Sequence, residues 1–309
     1  MPNEIKNVIV LGAGGNLGSV LVSALLESGF SVSALTRPSS KAIFPPNIAV
    51  HKADYSSFSS LVAAFQGQDA VISAIATFSV AEQKTAVDAA VAANVKRFIP
   101  SEFGGDTSLP GVVDFATFAI EKQKIVTYLK SKQTEGLSWT AICTGAFFHW
   151  VLELGNGTMG WDVEACKVTI FDSGDQPFEA STVSQVGRAV VSTLRHLDET
   201  MNTYVYINSF TLTQNKVLSV LERLSGKKFE ITNGSTKLIA ALGQEHLRQG
   251  DFENGYPEIV TAATYGPWGF DDFGGRAEKW NEILGLPDEE DFDSVIQSVL
   301  EKKHLVQQA

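Results

Sequence analysis

The sequence predicts a doubly wound α/β fold, a parallel sheet with helices on both faces, followed by a smaller C-terminal region. Three observations carry that expectation. Strand and helix patterns alternate four times within the first hundred residues, one of those strands is apolar almost throughout, and a glycine cluster joins the first strand to the first helix. Continuous apolar character marks a strand buried on both faces, as in parallel sheets.

The first strand, Val8-Ile9-Val10-Leu11, runs into Gly12-Ala13-Gly14-Gly15. From Leu17 the apolar positions recur at Val20, Leu21, Ala24 and Leu25, the spacing of one helix face. Glycines at 12, 15 and 18 free the turn, let a pyrophosphate approach the main chain and let the helix lie close on the strand. The N–H groups of the helix's first turn, around Asn16 and Leu17, have no internal partner and form a seat for phosphate. Strand, turn and helix together predict a dinucleotide site, which a bare glycine pattern would not.

A second strand is expected over residues 31–37 after a stop at Gly29. Its far end carries Thr36-Arg37, then Pro38-Ser39-Ser40-Lys41, where a chain selective for NAD would place an acid for the ribose 2′-hydroxyl. A guanidinium with hydroxyls and a lysine nearby suits a 2′-phosphate, so Arg37 and Lys41 point to NADPH. The third strand is expected at 48–54 with a helix at 58–65, and the fourth strand at 69–76. Ser73 and Ala74, near the carboxyl end of that strand, should lie beside the cofactor. A helix over about 80–93 leads to a fifth strand at 96–100, a glycine-rich loop to Gly111 and a helix from about Phe115 to Ser131. A sixth strand from Trp139 is expected to run into a pocket wall at Phe147, Phe148, His149 and Trp150. Residues 167–178 read as a hairpin-like insertion, 184–194 as a helix and 204–208 as a strand returning to the sheet edge. After a helix at 217–224, the aromatic, glycine-rich stretch 256–275 reads as a loop capping the crevice, and 288–293 as a solvated acidic loop. The expected division is a Rossmann-type NADP-binding domain over 1–150, rejoined by 182–224, with 151–181 and 225–309 forming a smaller substrate-binding region.

The 309 residues are 44% hydrophobic and 19% charged, ordinary for a packed globular chain, and the net charge of −11 argues against nucleic acid as a partner. Two cysteines, Cys143 and Cys166, form no C-x-x-C pair, so neither a disulfide framework nor a metal site is expected. No apolar run approaches the ~20 residues that span a bilayer, and the N-terminus lacks a signal pattern, so a cytoplasmic protein without membrane contact is expected. Oligomeric state is not legible.

The order Gly12-x-x-Gly15-x-x-Gly18, Arg97-Phe-Ile-Pro-Ser-Glu-Phe-Gly104 and Lys122-x-Lys124 resembles the isoflavone reductase-like branch of the NmrA-like family. These are atypical short-chain dehydrogenases that include phenylcoumaran benzylic ether reductases. The resemblance covers nearly the whole chain and implies an NADPH-dependent reductase acting on a conjugated, often aromatic small molecule. It also implies a functional lysine at Lys122 near the nicotinamide ribose, with Lys124 the alternative should the loop register slip. Phe147 is expected at the cofactor, and Phe103, Phe148, His149 and Trp150 at the substrate.

The common Tyr-x-x-x-Lys pair of short-chain dehydrogenases has one match here, Tyr128 and Lys132, rotated well away from the face of Lys122. Phe118 stands four residues before Lys122, so the phenol is missing from the working position. The expected chemistry is hydride delivery to a conjugated carbonyl or quinone-methide-like substrate, with Lys122 hydrogen-bonding the oxygen that gains charge. Two other readings stay open: an NADP(H)-binding redox-sensing regulator without turnover, and a cofactor-binding isomerase or dehydratase.

Overall fold

A computed structural model describes residues 4–112, 116, 118–287 and 291–305. Seven strands form one sheet in the order β10-β6-β5-β4-β1-β2-β3, with every pairing parallel. They are β1 (Asn7–Leu11), β2 (Ser31–Thr36), β3 (Ala49–Lys52), β4 (Ala70–Ser73), β5 (Arg97–Ile99), β6 (Ser138–Cys143) and β10 (Thr203–Tyr206). The last of these returns to the sheet edge beside β6 as expected.

Alternation along each strand builds a core on each side of the sheet. Val8 and Val10 pack with Leu21 and Leu25 of the Asn16–Glu27 helix and Val186 and Val190 of the Val183–Arg195 helix. Ile9 and Leu11 face the other way, toward Leu61 and Phe65, Val87, and Ile125 on the Phe58–Phe65, Gln83–Ala92 and Phe118–Ser131 helices. Strand order reverses between β1 and β4, so a crevice opens beyond Leu11 and Ser73, where parallel open sheets bind ligands.

A separate core forms beyond residue 145, where Phe148, Trp161, Val168, Phe178, Val217 and Ile296 pack together. Its sheet joins β7 (Trp161–Asp162), β8 (Lys167–Phe171) and β12 (Glu230–Gly234), and a two-stranded ladder pairs β9 (Phe178–Ala180) with β11 (Phe210–Leu212).

Four local expectations change. The strand from Trp139 stops at Cys143, and Phe148–Leu154 is a helix. Within 167–178 the two apolar runs do not pair. β8 instead pairs antiparallel with β7 and parallel with β12, a partner some sixty residues downstream. The stretch 256–275 is a loop only from Gly266 onward, because Phe252–Tyr265 is a helix containing Pro257. Asp251 caps it by accepting from the Asn254 N–H, and it packs so closely on the Thr236–Arg248 helix that a Cβ on Gly255 would lie 2.9 Å from the Gly243 carbonyl oxygen. That buried contact offsets the hydrogen bond the proline removes. In the acidic run, Asp291 caps the Phe292–Lys302 helix and Asp293 pairs with Arg223, while 288–290 lie outside the described residues, as does Phe115. Among the described residues no helix is long and apolar enough to cross a membrane.

Candidate active site

The turn after β1 is shaped by close approach. Gly12 has φ +81°, its N–H donates to the Leu35 carbonyl, and a Cβ there would lie 2.7 Å from the Ala74 oxygen. A Cβ on Gly18 would lie 2.2 Å from the Gly12 oxygen, so this glycine serves helix-on-turn packing and does not line the crevice. Gly14, which the spacing argument passed over, faces the groove, where a Cβ would meet Ala42 at 2.5 Å. The helix that follows has Gly15 at its N-cap, no side-chain cap and no acid in its first turn, so its N–H groups are left for an anion.

Two cavities meet at this turn and share Gly15, Ala74, Ile75 and Ala76. The outer one, about 270 Å³, is lined by Gly12, Gly14, Thr36, Arg37, Ser39, Ser40 and Tyr55. The Thr36 hydroxyl at its edge has no partner within the protein. Arg37 lies over the Tyr55 ring, donates to Ser79 Oγ at 2.7 Å and faces Glu82 at 3.3 Å. Lys41 is exposed and lines neither cavity, and Ser73 is fully buried and lines neither, so that Ala74, with Ile75 and Ala76 after it, borders the crevice at the end of β4. A glycine cradle, an uncapped helix start and a hydroxyl-rich rim with one guanidinium fit a phosphorylated dinucleotide.

The inner cavity, about 400 Å³, begins at Gly15, Asn16 and Leu17 and extends beneath the C-terminal region. Residues 101–105 form one side. The Ser101 N–H donates to Gln83 and its hydroxyl to the Ile75 carbonyl, while Gly104 O accepts from the N–H groups of Thr144 and Gly145. This fastens the block between the ends of β4 and β6. Arg97, from the same block, points elsewhere and donates to Ser138, Thr140, Thr200 and the Leu197 carbonyl, and burial lowers its pKa to about 10.

Lys122 lies in the inner cavity, 8% exposed, with Nζ donating to the Glu102 carbonyl. Lys124, two positions on and so about 200° around the helix, is exposed and paired with Glu121 at 2.7 Å. The Glu102 carboxylate accepts from Thr107 at 2.6 Å, and burial pushes its pKa up against the opposing effects of Lys122 and Thr107. Tyr128 donates to Asp88, and Lys132 pairs with Asp88 and Glu135, all outside the cavity.

Phe103, Phe147 and Trp150 line the inner cavity, the last two with ring centroids 5.1 Å apart. Phe148 does not. The helical turn rotates it into the second core, 5.4 Å from Phe178, and it borders a separate small cleft with His149. Sequence reasoning read this stretch as strand, whose period misassigns adjacent side chains.

Further lining groups escaped the motif reading. Phe118 presents its ring to the cavity from Lys122's own helix, 5.1 Å from Tyr256, and Tyr256 lies 5.2 Å from Phe78 and 3.4 Å, oxygen to oxygen, from Thr77. Val260, Thr264, Phe270 and Asp271 close the far wall. Their one signal was the aromatic richness of 256–275. Asp271 is 3% exposed, and burial lifts its carboxyl to a pKa of about 7. No group of His, Cys, Asp and Glu side chains suited to a metal occurs among the described residues.

The model of the NmrA-like family matches residues 4–257. Oxidoreductase aprR of Aspergillus flavus is 38% identical over 302 residues, covering 95% of this chain and 98% of its own length. The isoflavone reductase homolog IRL of Zea mays is 30% identical over 243 residues, covering 74% of this chain and 77% of its own. Among solved structures, AtPrR2 with NADP+ and (+)pinoresinol superposes with a TM-score of 0.74 at 22% identity, covering 97% of this chain and all of the other. An isoflavone reductase gives 0.72 at 22%, covering 96% and 99%. Both share the fold.

Proposed function

The chain belongs to the NmrA-like family, and from that premise we propose that it is an NADPH-dependent reductase of a conjugated aromatic small molecule. The observation that carries the reading is a buried lysine in an aromatic-walled cavity that opens directly onto the glycine cradle. Relatives named as oxidoreductases and isoflavone reductase homologs support the reaction class, and a neighbour solved with NADP+ supports the cofactor.

Gly12, Gly14 and Gly15 with the helix start at Asn16 and Leu17 would hold the pyrophosphate, and Arg37, Ser39 and Ser40 the adenosine end. When bound, NADPH supplies the hydride. Lys122 contributes a positive donor. Its Nζ is anchored by the Glu102 carbonyl, and remaining N–H bonds can meet an oxygen on which negative charge grows, where a dry wall strengthens the attraction. Phe118, in the position of the usual phenol, contributes shape and no proton. Phe103, Phe147, Trp150, Phe118 and Tyr256 favour a flat aromatic substrate through edge and face contacts, and a cavity of about 400 Å³ suits a compact one. We read 151–181 and 225–309 as the region that shapes this pocket.

The test is consumption of NADPH across a panel of aromatic enones and quinone-methide precursors, followed by the reduced nicotinamide's absorbance. Lys122→Met should lower turnover at least about 100-fold, the scale of losing one preorganised donor, whereas Lys124→Met leaves it unchanged. Tight NADPH binding without consumption, or an active Lys122→Met protein, would refute the reading.

A further inference from the structure

A reduction of this kind adds a proton as well as a hydride, and the inner cavity lacks the tyrosine that usually gives one. Tyr128 lies outside and Phe118 has no hydroxyl; of the groups that do line the cavity, the Tyr256 hydroxyl lies 3.4 Å from Thr77 Oγ1, the Lys122 ammonium is anchored on the Glu102 carbonyl, and the Glu102 carboxylate accepts from Thr107. We propose that Asp271 is the proton donor of the reaction, an assignment that rests on the reductase reading above.

The carboxyl is built into the wall. Its Oδ2 accepts from Thr264 Oγ at 2.5 Å, while Oδ1 is buried with no partner. A buried carboxylate oxygen with no donor is costly, so the site favours the neutral acid over the carboxylate. The residue is clamped from both sides. Its own carbonyl accepts from the Glu179 N–H at 2.7 Å, and the preceding Phe270 carbonyl accepts from the Asp106 N–H at 2.7 Å. Gly105 makes the approach possible, since a Cβ there would lie 2.7 Å from Asp271 Oδ1 and 2.4 Å from the Phe270 ring.

The surroundings hold the proton near neutrality. Burial is the largest influence, the Thr264 hydroxyl opposes it, Glu179 on β9 adds to it, and Lys122 opposes it, leaving the pKa at about 7. Glu102 and Asp106 also approach from the 101–108 loop, the first held by Thr107 and the second by Arg276 at 2.8 Å. A donor with a pKa near the working pH is the efficient choice for general acid catalysis.

For a conjugated carbonyl, the substrate accepts the hydride at its β carbon, where a C–H bond forms. The C=C pair shifts, the C=O pair moves to oxygen, the Asp271 O–H bond breaks and its proton joins that oxygen. The nicotinamide is oxidised, the substrate is reduced to an enol that tautomerises, and the carboxylate recovers a proton from water. Lys122 stabilises the charge that Asp271 then neutralises.

Three measurements on the full chain test this. Turnover of the wild type should fall as pH rises through about 7, as the acid form is lost. Asp271→Asn should lower turnover about 100-fold or more and abolish that limb, with NADPH affinity by fluorescence titration unchanged. Thr264→Val removes a bond that favours the carboxylate and should move the limb to higher pH, which a merely structural carboxyl would not do. Without substrate, the wild type minus Asp271→Asn infrared difference spectrum near neutral pH should show the band of one protonated carboxyl. Equal turnover and pH profile in wild type and Asp271→Asn, or a difference spectrum without that band, would overturn the assignment. A wild type that consumes no NADPH with any substrate overturns the reductase reading and this proposal together, so the two failures are distinguishable.

Discussion

Replacing Asp271 by Asn removes a carboxyl whose proton is held differently in the native and unfolded chains, and the consequence for stability can be worked out without reference to turnover. In the unfolded chain the group titrates near 3.8; in the fold, burial and the neighbouring Glu179 outweigh Thr264 and Lys122 and lift it to about 7. Below about pH 4 both states carry the proton, so the group is neutral in its effect. Between about pH 4 and pH 7 the unfolded chain ionises while the native one keeps its proton, so native protein binds more protons and stability falls as pH rises. Above about pH 7 the loss is complete. A separation of roughly three pKa units at 1.36 kcal/mol each sets the ceiling near 4 kcal/mol. The Asn variant does not suffer this loss. Urea unfolding of both proteins at a series of pH values should therefore show the variant gaining on the wild type as pH rises, by up to about 4 kcal/mol between about pH 4 and pH 8. A stability difference that stays constant across that window would refute the buried-acid argument, whatever the variant does to catalysis.

Other consequences follow from particular contacts. Gly18→Ala places a Cβ 2.2 Å from the Gly12 oxygen, a backbone clash, and should cost at least tenfold in NADPH affinity together with a lower Tm, read by titration and thermal melting. Glu82→Gln frees Arg37 from its 3.3 Å partner and should tighten NADPH binding by a few-fold, the scale of an exposed ion pair, without changing NADH binding; unchanged NADPH affinity would mean Arg37 does not meet the 2′-phosphate. Tyr128→Phe removes a hydroxyl bound to Asp88 outside the cavity, so turnover and its pH profile should match wild type; a large loss would restore the Tyr-x-x-x-Lys pair as a catalytic candidate.

What depends on neighbours along the chain was legible from residue order. Alternation at Val8 to Leu11 fixes a strand with two buried faces, the 3.6-residue recurrence from Leu17 fixes a helix, and Gly12 must be glycine because of its positive φ. Lys122 and Lys124 could not be told apart by motif counting, yet helix geometry puts them on different faces, one in the cavity and one in solvent. Tertiary structure decided everything that depends on distant segments meeting. The β8 strand chose β12 over the nearer run, Pro257 was carried within a helix by packing against Gly243, and the turn at Phe147 sent Phe148 into a core while leaving Trp150 at the site. Arg37 found Glu82 across 45 positions, and Asp271 came to share a cavity with Lys122 from a loop almost 150 residues downstream. Periodicity specifies which way a side chain faces along its own element. The proton affinity of a carboxyl depends on what excludes water from it and which charges stand nearby, and those are assembled only when the chain has folded.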